Sequence, residues 1–414
     1  MVNPEYKETE VGLVPEDWEA KPIQSFAHIA MCKRIFAEQT SEMGEIPFYK
    51  IGTFGKEADA YISRKLYLEY REKFSFPQKG DILISAAGTL GRTVKFDGKD
   101  SYFQDSNIVW LDIDKQQLCN DYLYQYYNVI KWASSEGSTI SRLYNGIIYN
   151  TYIALPPLEE QQKIAEALSD MDGLIASLEK LIAKKKAVKQ GAMQELLTGK
   201  KRLPGFDGAW VSCNITEVLC RDAGIKIGPF GSQLKKEYLV KNGPYKVYGQ
   251  ENVYEKDFSI GERYLEKDRF LQLQSCEIQK GDFLITTMGT IGKCIVIQQD
   301  IPRGIMDSHL IRLRVDSHKI IPEFLLYLFA PEFGFLEAQT QKLSVGGIMD
   351  GLSTKIVSSL YIQYPKEILE QQAIVTILSD MDAEIEALEQ KLAKCRQVKQ
   401  GMMQQLLTGK IRLV

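Results

Sequence analysis

Three histidines in 414 residues leave little material for histidine-based chemistry. His28, His309 and His318 stand at no spacing that a metal site or a catalytic triad uses, so each reads as a structural or surface residue. The seven cysteines form no CxxC pair, and the closest two, Cys213 and Cys220, fit no zinc pattern. Reduced, buried thiols in a cytoplasmic protein are therefore expected. No run of 18 apolar residues occurs, and the start, MVNPEYKETE, has no apolar stretch of the signal-peptide kind, so neither a membrane span nor a leader is expected. A basic surplus is also missing, since the net charge is −3. That counts against a freestanding nucleic-acid binder, though not against one that shares its charge burden with partner subunits. Catalytic motifs are absent too. Asp17, Glu19 and Lys21 superficially resemble a nuclease cluster, but they crowd one short turn instead of converging on a metal from separate elements. GTIGK at Gly289 lacks the spacing and the magnesium-binding hydroxyl of a phosphate loop, and no glycine-rich turn for a dinucleotide or methyl donor is present. A self-sufficient methyltransferase or nuclease is accordingly disfavoured.

What the chain does contain is an internal repeat. KQGAMQELLTGKKRLP, from Lys189, returns as KQGMMQQLLTGKIRLV at the end of the chain, and EEQQKIAEALSDMD, from Glu159, returns as LEQQAIVTILSDMD. Upstream the similarity is thinner but stays in register. GDILISAAGTLGR pairs with GDFLITTMGTIGK, QDSNIVWL with MDSHLIRL, DYLYQYY with EFLLYLF, and Trp18 with Trp210. Two divergent units each feed a near-duplicate helix, with a period far too long for a solenoid. The reading is a mixed α/β (α+β) fold with pseudo-two-fold symmetry, divided at 1–157, 158–203, 204–367 and 368–414. The LTGK–LP–W junction resembles a join from C-terminus to N-terminus, so the two chain ends should lie near each other.

The helices carry an apolar seam at coiled-coil period: Leu168, Met171, Ile175, Leu178 and Ile182 in the first, Leu378, Met381, Ile385, Leu388, Leu392 and Cys395 in the second. Prolines and acidic residues precede or open the first turn, and Gly199 and Gly409 fit C-terminal stops. Lysines and arginines (Lys184, Lys185, Lys186; Lys394, Arg396, Lys399) suit the negative end of a helix dipole. Gly191 and Gly401 are costly inside a helix; a close approach of the helix pair would justify them, as would a kink, and close approach is the favoured reading. The two helices either pair with each other, antiparallel, or zip two chains together.

In the divergent units, GDILIS and GDFLIT read as buried strands followed by glycine-rich loops, and DYLYQYYNVIKWA and EFLLYLFAPEF as buried helices. YISRKLYLEY and FSIGERYLEKDRF stay undecided. Each unit presents polar loops on an apolar scaffold. Thr89 with Arg92, and Thr290 with Lys293, end Gly-Thr-aliphatic-Gly turns suited to phosphate. Lys33, Arg34, Lys50 and Thr53 in the first unit match Ser232, Gln233, Lys235, Gln250 and Asn252 in the second. Gln104, Asn107, Arg142 and His309 complete the candidate set. Amide and basic side chains of this kind can read base edges.

The alternation of divergent units with near-identical helices resembles the specificity subunit of type I restriction-modification enzymes. The resemblance rests on VPEDW, GDILISAAGTLGR with GDFLITTMGTIGK, the GPFGSQL loop, LPPLEEQQKI with LEQQAI, and both LTGK–RL ends, and it covers essentially the full chain. The second copy departs mildly, with YPKEILEQQ for LPPLEEQQ. The resemblance implies two target-recognition domains (1–157 and 204–367) that each contact one half of a bipartite, asymmetric site on double-stranded DNA. It further implies spacer helices (158–203 and 368–414) that set the gap and dock two methyltransferase subunits, with Leu168, Met171, Ile175, Leu178, Gly191, Leu378, Met381, Ile385, Leu388 and Gly401 as the helix-pair or docking positions. S-adenosylmethionine would sit on those partners, restriction subunits could join, and this chain would hold no cofactor or metal and do no chemistry. The competing reading is a coiled-coil scaffold that displays two protein-binding domains without touching DNA.

Overall fold

A computed structural model describes residues 5–130, 132, 142–343 and 351–413. The chain divides into two compact units, 1–179 with 390–414 and 180–389, so each long helix begins in one unit and ends in the other.

In the first unit, four strands form an antiparallel sheet in the order Ala27–Ala30, Ile108–Ile113, Ile82–Ser85, Thr93–Lys95. The GDILIS stretch is its fully buried inner strand, as its unbroken apolar run requires of a strand covered on both faces. A smaller sheet sets Ile46–Tyr49 between Tyr61–Ile62 and, in parallel, Tyr102–Phe103. A third pairing joins Glu19–Pro22 to Tyr152–Leu155, just before the first long helix. The second unit repeats this plan. Ile225–Ile227, Leu310–Leu313, Phe283–Thr286 and Cys294–Val296 form its four-stranded sheet. Tyr264–Leu265, Tyr245–Tyr248 and Gly304–Met306 form its three-stranded sheet, and Trp210–Asn214 pairs with Tyr361–Pro365. The repeat therefore extends through segments whose sequences have diverged beyond easy alignment.

DYLYQYY and EFLLYLF are the buried helices Asn120–Tyr127 and Pro322–Leu328; Lys131 and Ala133 of the longer stretch lie outside the described residues. The undecided YISRKLYLEY resolves into a two-residue strand and the helix Arg64–Lys73, whose Ser63 hydroxyl accepts the Leu66 amide at its start. Its counterpart in the second unit is the shorter helix Lys267–Gln272.

The long helices span Leu158–Leu196 and Ile368–Leu406. They pair antiparallel with each other, which decides against a zipper between chains as the explanation of the seam. In the first unit Glu179 meets Arg396 at 2.6 Å and Asp172 meets Lys399 at 2.6 Å. In the second, Lys185 meets Glu384, Lys186 meets Glu389 and Lys189 meets Asp382, at 2.6, 2.7 and 2.5 Å. The basic clusters thus lie about two turns or more before the helix ends, with no basic residue in either last turn. Lys185, Lys186, Arg396 and Lys399 serve the partner helix and not the dipole, whose field fades within one turn. Leu168, Leu178, Ile182, Leu378 and Ile385 of the seam are buried, while Met171, Ile175, Met381 and Leu388 are half-buried.

Gly191 and Gly401 do not meet their expectation of close helix approach. A side-chain carbon built on either finds no atom within 4 Å, because both lie off the seam. Gly199 and Gly409 do behave as stops, with φ of +69° and +68°, the left-handed region where glycine is favoured. Each is also pressed on a tryptophan of its own unit. A side-chain carbon at Gly199 would fall 3.0 Å from the Trp210 ring, and one at Gly409 3.3 Å from Trp18.

Both ends of the repeated helix are explained by one contact made twice. Glu160, in the first turn of the first helix, is buried, and Arg412 donates to it from Nε and Nη2 at 2.7 Å each. Arg412 also reaches Asp17, and the Trp18 indole donates to Glu160 at 3.0 Å. In the second unit Arg202 grips the buried Glu370 at 2.7 and 2.8 Å. Beside each glutamate a buried glutamine ties the helix start to its unit. Gln161 accepts from the Cys119 amide and donates to the Gln117 and Pro156 carbonyls, all at 2.9 Å. Gln371 does the same with Ile321, Lys319 and Pro365, also at 2.9 Å. The chain ends lie together as the junction implies, and the Tyr6 hydroxyl donates to the Gly409 carbonyl at 3.2 Å.

All seven cysteines are free. Cys32, Cys213 and Cys276 are buried and the other four are half-buried, so the expectation of fully buried thiols holds only for three. Burial pushes the Cys32 thiol up to about 12, which leaves it unreactive.

Candidate nucleic-acid interface

Strand register decides which loops share an end of the sheet. In the first unit Ala30 faces Trp110, Ser85 faces Ile108 and Thr93 faces Ile84. The segments after Ala30, after Ser85, before Ile108 and before Thr93 therefore emerge at one edge. The three-stranded sheet brings the segment after Tyr49 there as well, because the Gln104 backbone amide donates to the Tyr49 carbonyl at 2.9 Å and Lys50 follows directly. Lys33, Arg34, Lys50, Thr53, Thr89, Arg92, Gln104 and Asn107 thus come together from four stretches of chain. Arg142 joins them by donating to the Ser106 carbonyl at 3.1 Å. A recess of about 370 Å³ at this end is lined by Arg34, Phe36, Lys50, Gln104, Asp105 and Asn107.

The second unit converges in the same way. Ile227 faces Ile311, Thr286 faces Leu310 and Ile285 faces Cys294. The Asp307 amide donates to the Tyr248 carbonyl at 2.8 Å, and the Thr287 amide to the His309 carbonyl at 2.9 Å. Gly228 is pinned against this corner, since a side-chain carbon there would fall 1.9 Å from the Asp307 carbonyl oxygen.

The Gly-Thr-aliphatic-Gly turns are built identically. Ser85 Oγ donates to the Thr89 carbonyl and accepts the Arg92 amide, and Thr286 Oγ1 does the same with Thr290 and Lys293. The glycines of both turns have positive φ: Gly88 and Gly91, Gly289 and Gly292. The hydroxyl that organises each turn comes from the strand end, a role the turn's own motif does not reveal. Thr89, Thr290 and Lys293 stay exposed at the tips.

Several candidate side chains are already engaged. Arg92 donates to the Phe54 carbonyl at 2.9 Å, and the Thr53 hydroxyl bonds the Lys50 backbone. Arg34 pairs with Asp105 at 2.9 Å, Lys50 with Asp59 at 2.9 Å and Lys235 with Glu237 at 3.5 Å. Lys33 lies 5.1 Å over the Phe74 ring. The Gln104 amide oxygen accepts from the Ile51 amide, and that of Gln250 from the Tyr254 hydroxyl. His309 bonds Asp307, which Arg263 holds at 2.8 Å. Ser232 and Gln233 are exposed.

Asn252 is a correction. It is buried, its amide oxygen accepts from the Gly249 amide, and its nitrogen donates to the Asp257 and Ile260 carbonyls. With both amide N–H donors and one side of its oxygen spent inside the unit, and the side chain buried, it is not presented to a base edge. Buried Lys246 holds the same loop through the Phe258 and Ser259 carbonyls, at 3.1 and 2.6 Å, and burial lowers its pKa. Replacing Asn252 by alanine should therefore destabilise the second unit by about 1–3 kcal/mol through unpaired buried carbonyls and a bare amide. Chemical denaturation checks this, and a stability unchanged by the substitution would contradict the assignment.

Among the described residues no group of three or more His, Cys, Asp or Glu side chains could hold a metal ion, and no helix is long and apolar enough to cross a membrane.

The model of the type I restriction modification DNA specificity domain matches residues 15–189 and 228–396. The chain is 27% identical over 428 residues to the type I restriction enzyme MjaVIII specificity subunit of Methanocaldococcus jannaschii, covering 99% of this chain and 96% of that one. It is 56% identical over 150 residues to the putative type I restriction enzyme specificity subunit S.HindORF215P of Haemophilus influenzae, covering 36% of this chain and 39% of that protein. In fold it resembles the crystal structure of the type I restriction-modification system S subunit from M. genitalium, with a TM-score of 0.59, 16% identity and coverage of 98% and 99%. Two matched segments that together span both units and most of both long helices leave one assignment: the chain belongs to the type I restriction-modification DNA specificity family.

Proposed function

We propose that this chain is the sequence-reading subunit of a type I restriction-modification complex, in which each unit contacts one half of a bipartite site on double-stranded DNA. The observation that carries this reading is the convergence, twice over, of separate polar segments at one end of a four-stranded sheet. Glycine-hinged turns there present backbone amides, hydroxyls and cations, the groups that suit phosphate, while amide and basic side chains from neighbouring loops suit base edges. Because those loops differ between the units, the two half-sites differ. The paired helices set the gap and dock two methyltransferase subunits, which bring S-adenosylmethionine, extrude the target adenine for N6 methylation, and neutralise phosphates that a chain of net charge −3 leaves uncovered. Restriction subunits join the same assembly in the cytoplasm. This chain's own share is binding, orientation and spacing.

Methylation mapping tests the reading. The chain, its cognate methyltransferase subunit and S-adenosylmethionine are combined on genomic DNA, and modified adenines are sequenced with and without the chain. A split motif that depends on the chain is expected; a well-formed complex with no such motif would overturn the proposal. Within it, Lys293→Ala removes an exposed cation at a turn tip. It should weaken binding about equally on all sequences and lower the slope of log affinity against log salt by about 1. A changed motif with an unchanged salt slope would instead make Lys293 a base reader.

A further inference from the structure

Phe36 and Phe230 are 52% and 59% exposed, the two most exposed phenylalanines among the described residues. The third exposed phenylalanine, Phe74, is covered by the Lys33 ammonium at 5.1 Å. Both of the first pair lie in the same connection of their units, between the edge strand of the four-stranded sheet and the central strand of the three-stranded one. They are not at aligned positions, since Phe36 follows its edge strand by six residues and Phe230 by three. The shared feature is therefore the placement of an apolar ring at the converging end, independent of the repeat's register.

Neither ring is exposed because its backbone is loose. The Phe36 amide donates to the Gln39 side chain at 2.9 Å, and its carbonyl accepts the Gln39 amide at 3.0 Å. The Phe230 carbonyl accepts the Gln233 amide at 2.7 Å and the Leu234 amide at 3.3 Å, two residues beyond the pinned Gly228. Phe36 lines the recess that holds Arg34, Lys50, Gln104 and Asn107. An apolar ring on a held backbone, set at Phe36 among amide, cationic and one acidic side chain, is costly in water and suited to a surface that offers both apolar faces and polar edges. DNA bases, whose faces and methyl groups accept such rings, are that surface.

We infer that Phe36 and Phe230 are specificity-determining contacts, each packing its ring against a base of the half-site that its unit reads. This rests on the DNA-reading function proposed above. It assigns the GPFGSQL loop a reading role through its phenylalanine as well as through Ser232 and Gln233.

The test uses the full chain assembled with its methyltransferase subunit. Methylation motifs are mapped for the wild type, Phe36→Ala and Phe230→Ala, and initial methylation rates are measured on a duplex carrying the mapped wild-type site. Each alanine variant is expected to relax one or two positions in one half-site only, with the two variants acting on opposite halves. The rate on the wild-type site should fall about tenfold or more, and Phe→Leu should restore part of it. An unchanged motif with a rate within about twofold of wild type overturns the inference while leaving the DNA-reading function standing. A uniform loss of rate with an unchanged motif, or failure of the variants to assemble with the methyltransferase subunit, also overturns it, the second by making the rings a protein contact. If even the wild type yields no chain-dependent motif, the underlying function falls and the inference with it.

Discussion

Replacing Arg202 by alanine is expected to be among the most destabilising single changes in the second unit. Glu370 is 1% exposed at its side chain, and Arg202 supplies both hydrogen bonds that its carboxylate receives among the described side chains. Removing the guanidinium strands a buried charge, at a cost of about 3–5 kcal/mol. For a unit of this size that corresponds to a fall in thermal midpoint on the order of 10 °C. Arg412→Ala should cost less, because Glu160 keeps the Trp18 indole at 3.0 Å and the Leu413 amide at 3.4 Å. The counterpart indole, Trp210, has no hydrogen-bond partner among the described residues, so the second clamp lacks that reserve. Calorimetry of both variants separates the two. Equal small losses would mean that neither clamp contributes beyond an ordinary surface pair. The Arg412 hydrogen bond also holds Asp17 below the ordinary carboxylate range. Its contribution is accordingly present in full above that range and is lost only as pH falls through the lowered value.

Inserting one heptad into each long helix, after Glu179 and after Glu389, should lengthen the gap in the methylated motif by about three base pairs and leave both half-sites unaltered. Seven residues add about 10.5 Å of helix, against about 3.4 Å per base pair. A heptad also returns the seam to the same face. The insertion must be made in both helices because their register is held at both ends. Asp172 binds Lys399 and also accepts from Gln125 at 3.0 Å, and Asp382 binds Lys189 and also accepts from the Tyr327 hydroxyl at 2.9 Å. A heptad in only the Leu158–Leu196 helix would separate one acid from its lysine and expose part of the seam, so it should abolish methylation or lower it severely. Sequencing of modified adenines reads both outcomes. An unchanged gap after the matched insertion would sink the proposal that the paired helices set the gap.

These contacts show why some of the architecture was legible beforehand and some was not. The seam was legible because coiled-coil burial repeats every 3.5 residues in any context, and the glycine stops because a left-handed residue after a helix is a local demand. The repeated LTGK–RL ends were visible as a pattern, but their purpose was not. Arg412 and Glu160 are 252 residues apart, and no local rule pairs them. The same blindness misread the basic clusters as dipole partners and Gly191 and Gly401 as contact points. Asn252 looked like a base reader because an amide in a polar loop and an amide that staples a loop have the same local sequence.

The amino-acid sequence alone determined the repeat, the two long helices and their seam, the buried strands and the family, since each rests on periodicity, turn chemistry or direct similarity along the chain. Tertiary structure alone decided which loops meet at the end of each sheet, which polar side chains remain available there, and which acids and bases close the helix ends. The reason is physical. Those outcomes depend on strand register and on competition among hydrogen-bonding partners far apart in the chain, and neither exists until the backbone has folded.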